Sequence, residues 1–240
     1  STLFPYTTLF RSTNRAHGED FKGKKVAISG FGNVSWGTAS KLEELGAIPI
    51  TISGPDGYIL DEEGVLGEKI DYLLELRASG KNICKPYADK FKSAKFIEGK
   101  KPWEVKADMY IPCATQNEIL IDDAKAIVAS GAKYVCEGSN MSSSNEAIEY
   151  MLNNGIILGP SKAANAGGVA CSCIEMGQNS GKTVFKPEQV HAQLKDIMVN
   201  IHDAAKNAAE EYGYGYNLVA GANIAGFLKV ADSMIAQGCV

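Results

Sequence analysis

Two glycines between a predicted strand and a predicted helix restrict the fold of this chain more than any other feature. The segment VAISGFGNVSWGTAS (residues 26–40) runs from an apolar stretch through Gly30 and Gly32 into a stretch with helical spacing. Gly30 allows a sharp turn, and Gly32 lets a ligand approach the backbone closely. Free N–H groups at the start of the helix would then attract phosphate. We interpret the segment as a phosphate-binding turn, with a purely structural turn as the alternative.

Strands and helices alternate along the chain from residue 24 onward. The predicted strands are KKVAIS, AIPITIS, AKFIEG, ADMYIPCAT, KYVCEGSN and IILGP, with GYILDEEG as a small hairpin arm after the turn GPDG. The predicted helices are WGTASKLEELG, EKIDYLLELRASG, DDAKAIVASG and NEAIEYMLNNG, followed by residues 162–180, about 187–212 and about 217–238. This alternation predicts a Rossmann-like, doubly wound α/β fold with a mostly parallel sheet and C-terminal helices.

Composition excludes some classes of protein. The chain is 45% hydrophobic and 22% charged with a net charge of −4, and its basic and acidic residues are interspersed, so no nucleic-acid or membrane partner is expected. No signal peptide is visible, and no apolar run approaches the ~20 residues that a membrane helix needs. The six cysteines include no C-x-x-C pair, so no metal site is predicted. Their use fits a reducing, cytoplasmic location.

The ligand is expected beyond the carboxyl ends of the strands, where small and amide residues are frequent. The loops there read PCATQNE, EGSNMSSSNEA and GPSKAANAGGV. Asn117 in the first loop is interpreted as an ordinary cap or turn residue. Ser53 ends the second predicted strand, where NAD sites usually carry Asp or Glu. A neutral residue there favours NADP or both nucleotides, although Asp56 lies close by and no Arg follows the strand to bind a 2′-phosphate.

Five segments in order resemble the hexameric-type glutamate dehydrogenases of the Glu/Leu/Phe/Val dehydrogenase family: GFGNVSWG, PCATQNE, EGSNM, SKAANAGGVACSCIEMGQN and GYNLVAGANIAGFLKVADSMIAQG. The resemblance covers about residues 20–240. It implies the C-terminal, nucleotide-binding domain of an oxidoreductase that converts L-glutamate reversibly to 2-oxoglutarate and ammonia with NADP, or with NAD. It also implies a homohexamer. SCIEMGQN and GANIAGF favour glutamate over a leucine- or phenylalanine-type enzyme.

The resemblance also implies roles for individual residues. Those implied to bind the cofactor are Gly30, Gly32, Asn33, Val34, Ser53, Ala114, Thr115, Asn140 and Asn165. Val169 and Ser172 are implied to contact the substrate methylenes and side-chain carboxylate. Their spacing with Asn165 places the three on one helix face, near its N-terminus. Two neighbours, Cys173 and Gly177, depart from the residues usual in the family.

The family's catalytic Lys and Asp lie in an N-terminal substrate domain for which the sequence offers no counterpart. We therefore expect no catalytic residue in this chain and no activity from it by itself, with a standalone, non-catalytic nucleotide-binding module as the alternative. Residues 1–20, which begin STLFPYTTLFRS, resemble no part of the family and are interpreted as a foreign or disordered leader. The dinucleotide-binding domain is assigned to residues 21–240, with C-terminal helices from about 187. Residues expected to be partly uncovered on the last helix are Ile224, Phe227, Leu228 and Val230.

Overall fold

Strand β1 (Lys25–Ile28) belongs to a five-stranded parallel sheet in the computed structural model, which describes residues 17–238. The other strands of this sheet are β2 (Ile48–Pro49), β6 (Met109–Ile111), β7 (Tyr134–Cys136) and β8 (Ile157–Gly159). Their order is β2-β1-β6-β7-β8, and every pair is parallel. The chain moves from β1 to one side and returns on the other, so the strand order reverses between β1 and β6. That is where ligands bind in sheets of this kind.

A second sheet is antiparallel and has the order β3-β4-β5. Its strands are β3 (Thr51–Gly54), β4 (Gly57–Asp61) and β5 (Ala94–Glu98). The predicted strand AIPITIS is therefore two strands in two sheets. Pro49 cannot donate a backbone hydrogen bond, which suits an edge strand, and Ile50 lies where the chain leaves the first sheet. The predicted hairpin arm is β4.

The helices are α1 (Asn33–Glu44), α2 (Glu68–Ala78), α3 (Lys85–Lys90), α4 (Ile121–Ala129), α5 (Asn145–Asn153), α6 (Ser161–Ala164), α7 (Ala166–Gly181), α8 (Pro187–Glu211) and α9 (Leu218–Gln237). A 3₁₀ turn spans Pro102–Glu104. The sequence did not predict α3 or this turn. It predicted α6 and α7 as one helix, which the structure divides at Asn165.

Alternate residues of β1 enter different apolar clusters, as expected for a sheet covered on both faces. Val26 and Ile28 pack in one cluster with Leu42 of α1. Ala27 packs in the other cluster with Ile127 of α4. The prediction of a doubly wound α/β fold is confirmed.

Helix α9 packs against α8 so closely that a side chain at Gly221 would collide with the carbonyl of Ala205. By length and composition α9 could cross a membrane, because its mean hydropathy reaches 1.4. The expectation that no apolar run approaches that length was wrong for α9, whose Leu, Val, Ile and Ala residues raise its hydropathy despite two charged ones. Such helices also occur in soluble proteins. Phe227 and Val230 are exposed, and Ile224 and Leu228 are half-buried.

Candidate functional site

The first glycine of the turn has no room for a side chain. Gly30 has a φ of +87°, and a Cβ there would lie 2.5 Å from Ser35 Oγ and 2.8 Å from the carbonyl oxygen of Cys113. Its N–H donates to Ser53 Oγ over 2.7 Å. Gly30 therefore lets the end of β1 lie directly against Ser53 of β3 and against Cys113, which follows β6.

The second glycine of the turn faces open space. A Cβ at Gly32 would meet only Nη1 of Arg77, at 3.4 Å. Gly32 precedes α1, whose N-terminus carries no side-chain cap and whose first turn contains no acidic residue. The first N–H groups of this 12-residue helix and its dipole thus present positive potential beside an unobstructed backbone. An anionic group such as a pyrophosphate fits this arrangement.

One cleft, which we call the first cleft, has a volume of about 610 Å³ and begins at the glycine turn. Its lining includes Ser53 and Gly54 at the end of β3, Pro55 after it, Arg77 and Asn82, Lys100 and Lys101, the segment 113–115 after β6, and Glu118. Ser53 is buried and turned toward Gly30. No Arg directly follows β3, yet Arg77, near the end of α2, also lines the cleft. Its Nη1 donates to the carbonyl of Phe31 in the glycine turn over 2.8 Å.

Asp56, which lies close to Ser53 in the sequence and so made the nucleotide preference harder to predict, has its carboxylate engaged in hydrogen bonds within the protein. Its carboxylate accepts the backbone N–H groups of Cys84, at 2.9 Å, and Lys85, at 3.0 Å. It is not among the described residues that line the first cleft. Asp56 therefore holds the start of α3 against the β3–β4 hairpin.

A second cleft, of about 740 Å³, lies on the other side of the segment 113–115. Its lining residues are Val34, Cys113, Ala114, Thr115, Gln116, Gly138, Ser139, Asn140, Asn165, Gly168 and Val169. No Lys, Arg, His, Asp or Glu is among these described residues. The amide of Asn165 donates to Oδ1 of Asn140. The two clefts share Cys113, Ala114 and Thr115 and so meet along the carboxyl ends of the central strands.

Nine of the eleven residues predicted to bind cofactor or substrate line one or both clefts. The other two, among the described residues, are Asn33 and Ser172. Asn33 Oδ1 accepts a hydrogen bond from the indole of Trp36. Ser172 donates to the carbonyl of Gly168, one turn back in α7. Their roles, and those of the nine, stay predictions.

Asn117 lies in the turn geometry that the sequence suggested. Its φ is +50°, a conformation that Asn tolerates better than most residues. Its N–H donates to the carbonyl of Met141. The predicted interpretation as a turn residue agrees with this geometry.

The sequence analysis did not select Glu118, although it quoted the loop PCATQNE that contains it. Glu118 is only 3% exposed, and its carboxylate accepts the N–H of Ala114 over 2.9 Å. Burial raises its pKa, against the opposing effect of hydrogen bonds from its neighbours. The residue types of the loop gave no signal that this carboxylate is enclosed. No group of three or more His, Cys, Asp or Glu in residues 17–238 could hold a metal ion.

Comparison with known proteins adds an independent finding. The family model Glutamate/Leucine/Phenylalanine/Valine dehydrogenase matches residues 6–238. The NAD-specific glutamate dehydrogenase of Clostridium symbiosum is 54% identical over 218 residues, which are 90% of this chain and 48% of that protein. The NADP-specific glutamate dehydrogenase of Giardia intestinalis is 46% identical over 222 residues, 91% of this chain and 49% of that protein.

A solved structure of Plasmodium falciparum glutamate dehydrogenase superimposes with a TM-score of 0.95 at 38% identity, covering 100% of this chain and 52% of that one. The chain thus spans about half the length of these relatives. The family match begins at residue 6, within the predicted leader. Residues 1–16 lie outside the described part of the structure, so the foreign-leader interpretation stays a prediction.

Proposed function

Because the chain belongs to the glutamate/leucine/phenylalanine/valine dehydrogenase family, we propose that it forms the dinucleotide-binding part of a glutamate dehydrogenase. The reaction is the reversible oxidative deamination of L-glutamate to 2-oxoglutarate and ammonia. The observation that carries the proposal is a pair of clefts that meet at the segment 113–115, beside an open glycine turn. The names of the relatives favour glutamate over leucine or phenylalanine as the substrate.

In this proposal, the glycine turn and the two clefts each bind a different part of the dinucleotide. Gly32 and the start of α1 would hold the pyrophosphate, because a side chain is absent and the helix dipole favours anions. Val34, Asn33 and the backbone of Ala114 and Thr115 would contact the middle of the molecule. Asn140 and Asn165 would orient the nicotinamide end. The bound nicotinamide supplies the hydride acceptor or donor.

The substrate would lie at the start of α7, over the second cleft. Val169 is 70% exposed and would pack on the glutamate methylenes. The Ser172 hydroxyl is exposed and, after rotating away from Gly168, would donate to the side-chain carboxylate. The described lining of the second cleft contains no Lys or Asp. We therefore propose that the group that binds the α-carboxylate and the general acid–base come from a substrate domain.

For the nucleotide, we propose that NADP(H) binds at least as tightly as NAD(H). The support is electrostatic: Ser53 is neutral, and Arg77, Lys100 and Lys101 line the first cleft, where a 2′-phosphate would find positive charge. The alternative has support too, because the relative from Clostridium symbiosum is named NAD-specific and is the more similar of the two compared above.

Fluorescence titration with NADPH and with NADH tests both parts of the proposal. Saturable binding of either nucleotide supports the site. NADH binding more than ~10-fold tighter, a difference of about 1.4 kcal/mol, overturns the NADP preference. Failure of both nucleotides to bind a folded chain overturns the dinucleotide site.

We also propose a homohexamer in the cytoplasm, as the resemblance to the family implies. Light scattering of the purified protein measures the assembly. A reconstituted enzyme that turns over leucine or phenylalanine faster than glutamate would assign the chain to another branch of the family. A chain that binds nucleotide but restores no activity to a family substrate domain would be a standalone nucleotide-binding module.

A further inference from the structure

The carboxylate of Glu118 collects hydrogen bonds from residues that follow different strands. Its Oε1 accepts the N–H of Ala114 over 2.9 Å and the hydroxyl of Ser139 over 3.3 Å. The hydroxyl of Ser29 and the backbone of Thr115 lie near enough to favour its ionised form and so to lower its pKa. Ser29 follows β1, Ala114 and Thr115 follow β6, and Ser139 follows β7. These three strands are neighbours in the parallel sheet.

The backbone of Glu118 links the same point to the rim of the first cleft. Its carbonyl accepts Lys101 Nζ over 2.7 Å and the indole N–H of Trp103 over 3.2 Å. Lys101 lines the first cleft, and Trp103 is fully buried. Glu118 therefore connects the segment shared by the two clefts with the opposite wall of the first.

Glu118 also reaches the second cleft through its neighbours. Ser139 and the next residue, Asn140, both line that cleft. Ser139 lies 2.6 Å, hydroxyl to hydroxyl, from Ser142, whose hydroxyl donates to the Ser139 carbonyl. The position of Asn140 thus depends on a small network that has the Glu118 carboxylate as its charged acceptor.

We propose that Glu118 is a positioning residue for the dinucleotide: its buried carboxylate holds the segment 113–115 and Ser139 in the arrangement that both halves of the ligand contact. The proposal rests on the proposed function, because it assumes that a dinucleotide occupies the two clefts. Glu118 need not touch the reacting atoms. It acts by keeping several backbone and hydroxyl donors directed inward, so that the cleft surface is fixed before the ligand arrives.

The ionised form of Glu118 is the one that these donors require. The backbone N–H groups of Ala114 and Thr115 can only donate, so protonation of Glu118 would replace their charge-assisted hydrogen bonds with weaker neutral ones. Burial already raises the pKa of Glu118. The charged and titratable groups beside it are Lys101, which binds its carbonyl, and Cys113, whose thiol pKa is also raised by burial. Lowering the pH should therefore weaken nucleotide binding through Glu118.

The test compares Glu118→Gln with Glu118→Asp and with the exposed control Glu146→Gln. Glutamine keeps the size but removes the charge and turns one acceptor into a donor. We expect Glu118→Gln to raise the Kd for both NADH and NADPH by about 10-fold or more at neutral pH, the scale of a lost charge-assisted hydrogen bond. Glu118→Asp, which keeps the charge, should recover part of the affinity, and Glu146→Gln should match the wild type.

The pH profile separates positioning from a general loss of structure. Wild-type affinity should fall as the pH is lowered through the raised pKa of Glu118 and the carboxylate becomes protonated. The Glu118→Gln variant lacks this titration, so its pH profile should be flatter. Circular dichroism checks that each variant is folded; if Glu118→Gln does not fold, Glu118→Asp and the wild-type profile carry the test. Unchanged Kd values in folded Glu118→Gln, or parallel pH profiles, overturn the proposal. A wild-type chain that binds no dinucleotide overturns the proposed function as well.

Discussion

Ser53 Oγ lies 2.7 Å from the backbone nitrogen of Gly30 and accepts its hydrogen bond, so the end of β3 holds the glycine turn in place. Both residues line the first cleft, and Ser53 is 7% exposed. Ser53 has therefore a structural task in addition to the nucleotide-selecting role proposed for it. A substitution at this position changes the turn and the charge of the cleft together, and the two effects need separate variants.

Ser53→Asp is expected to lower the ratio of NADPH to NADH affinity. A carboxylate there would repel a 2′-phosphate and accept hydrogen bonds from a ribose 2′-hydroxyl. The titrations described above measure the ratio. Ser53→Ala is the matched control: it removes the acceptor of the Gly30 N–H without adding charge and should weaken both nucleotides alike. A ratio unchanged in Ser53→Asp would place Ser53 away from the ribose.

Substitution of Gly30 should mainly lower the stability of the protein, whereas substitution of Gly32 should mainly abolish nucleotide binding. Gly30→Ala forces a Cβ against Ser35 and Cys113 at a positive φ, so we expect it to lower the free energy of unfolding by about 2 kcal/mol or more. Urea denaturation measures this loss.

Gly32→Val should leave the stability within about 1 kcal/mol of the wild type but abolish nucleotide binding. The space around Gly32 is open in the protein, yet a side chain would fill the approach of the pyrophosphate. A folded Gly32→Val chain with normal affinity for NADPH would show that the phosphates lie elsewhere.

Glu19 should make the stability depend on acid pH. Lys133, at 2.8 Å, and Lys24, at 2.6 Å, lower the pKa of Glu19 from 4.5 to about 2. Because the folded-state pKa is the lower one, this contribution is complete above pH 4.5 and is lost as pH falls toward 2.

The matching variant is Glu19→Gln, which should cost about 1 kcal/mol at pH 7, a modest value because Lys133 is well exposed and solvent screens the pair. Thermal unfolding across the acid range measures the difference between Glu19→Gln and the wild type. A difference that stays constant down to pH 2 would show that the ion pairs do not produce it.

A polypeptide with the printed sequence is expected to show no glutamate-dependent reduction of NADP or NAD by itself. General acid–base catalysis commonly contributes about 10²–10⁴-fold and substrate positioning contributes more, and the described second cleft offers neither a Lys nor an Asp. Adding a separately expressed substrate domain of a family member should restore activity. Turnover before that addition would contradict the prediction.

The sequence predicted the parts of the fold that depend on nearby residues. The apolar run before Gly30, the helical spacing after Gly32 and the turn GPDG are local patterns, and each corresponds to an element of the structure. The division of AIPITIS between two sheets was not predictable, because it depends on partners far along the chain. Ile48 pairs with Lys25, whereas Ile52 pairs with Ile59 in the other sheet.

The candidate site shows the same limit. The small and amide residues of the strand-end loops were found because their types fit close contact with a ligand. Arg77 was missed because it reaches Phe31 across 46 residues of sequence. Glu118 was missed for a related reason, because its burial arises only when Ser139 and the ends of three strands come together around it.

The segment Cys113–Thr115, shared by both clefts, constrains how this protein can change in evolution. The carbonyl of Cys113 lies against Gly30, and the segment borders both halves of the proposed binding site. A substitution there alters both halves at once, so it cannot tune one without disturbing the other. Ser53, Pro55 and Arg77 line the first cleft and are not among the described residues of the second. If the proposed site is correct, adaptation to a different nucleotide would therefore be easiest at these three positions, because substitutions there would leave the lining of the second cleft unchanged.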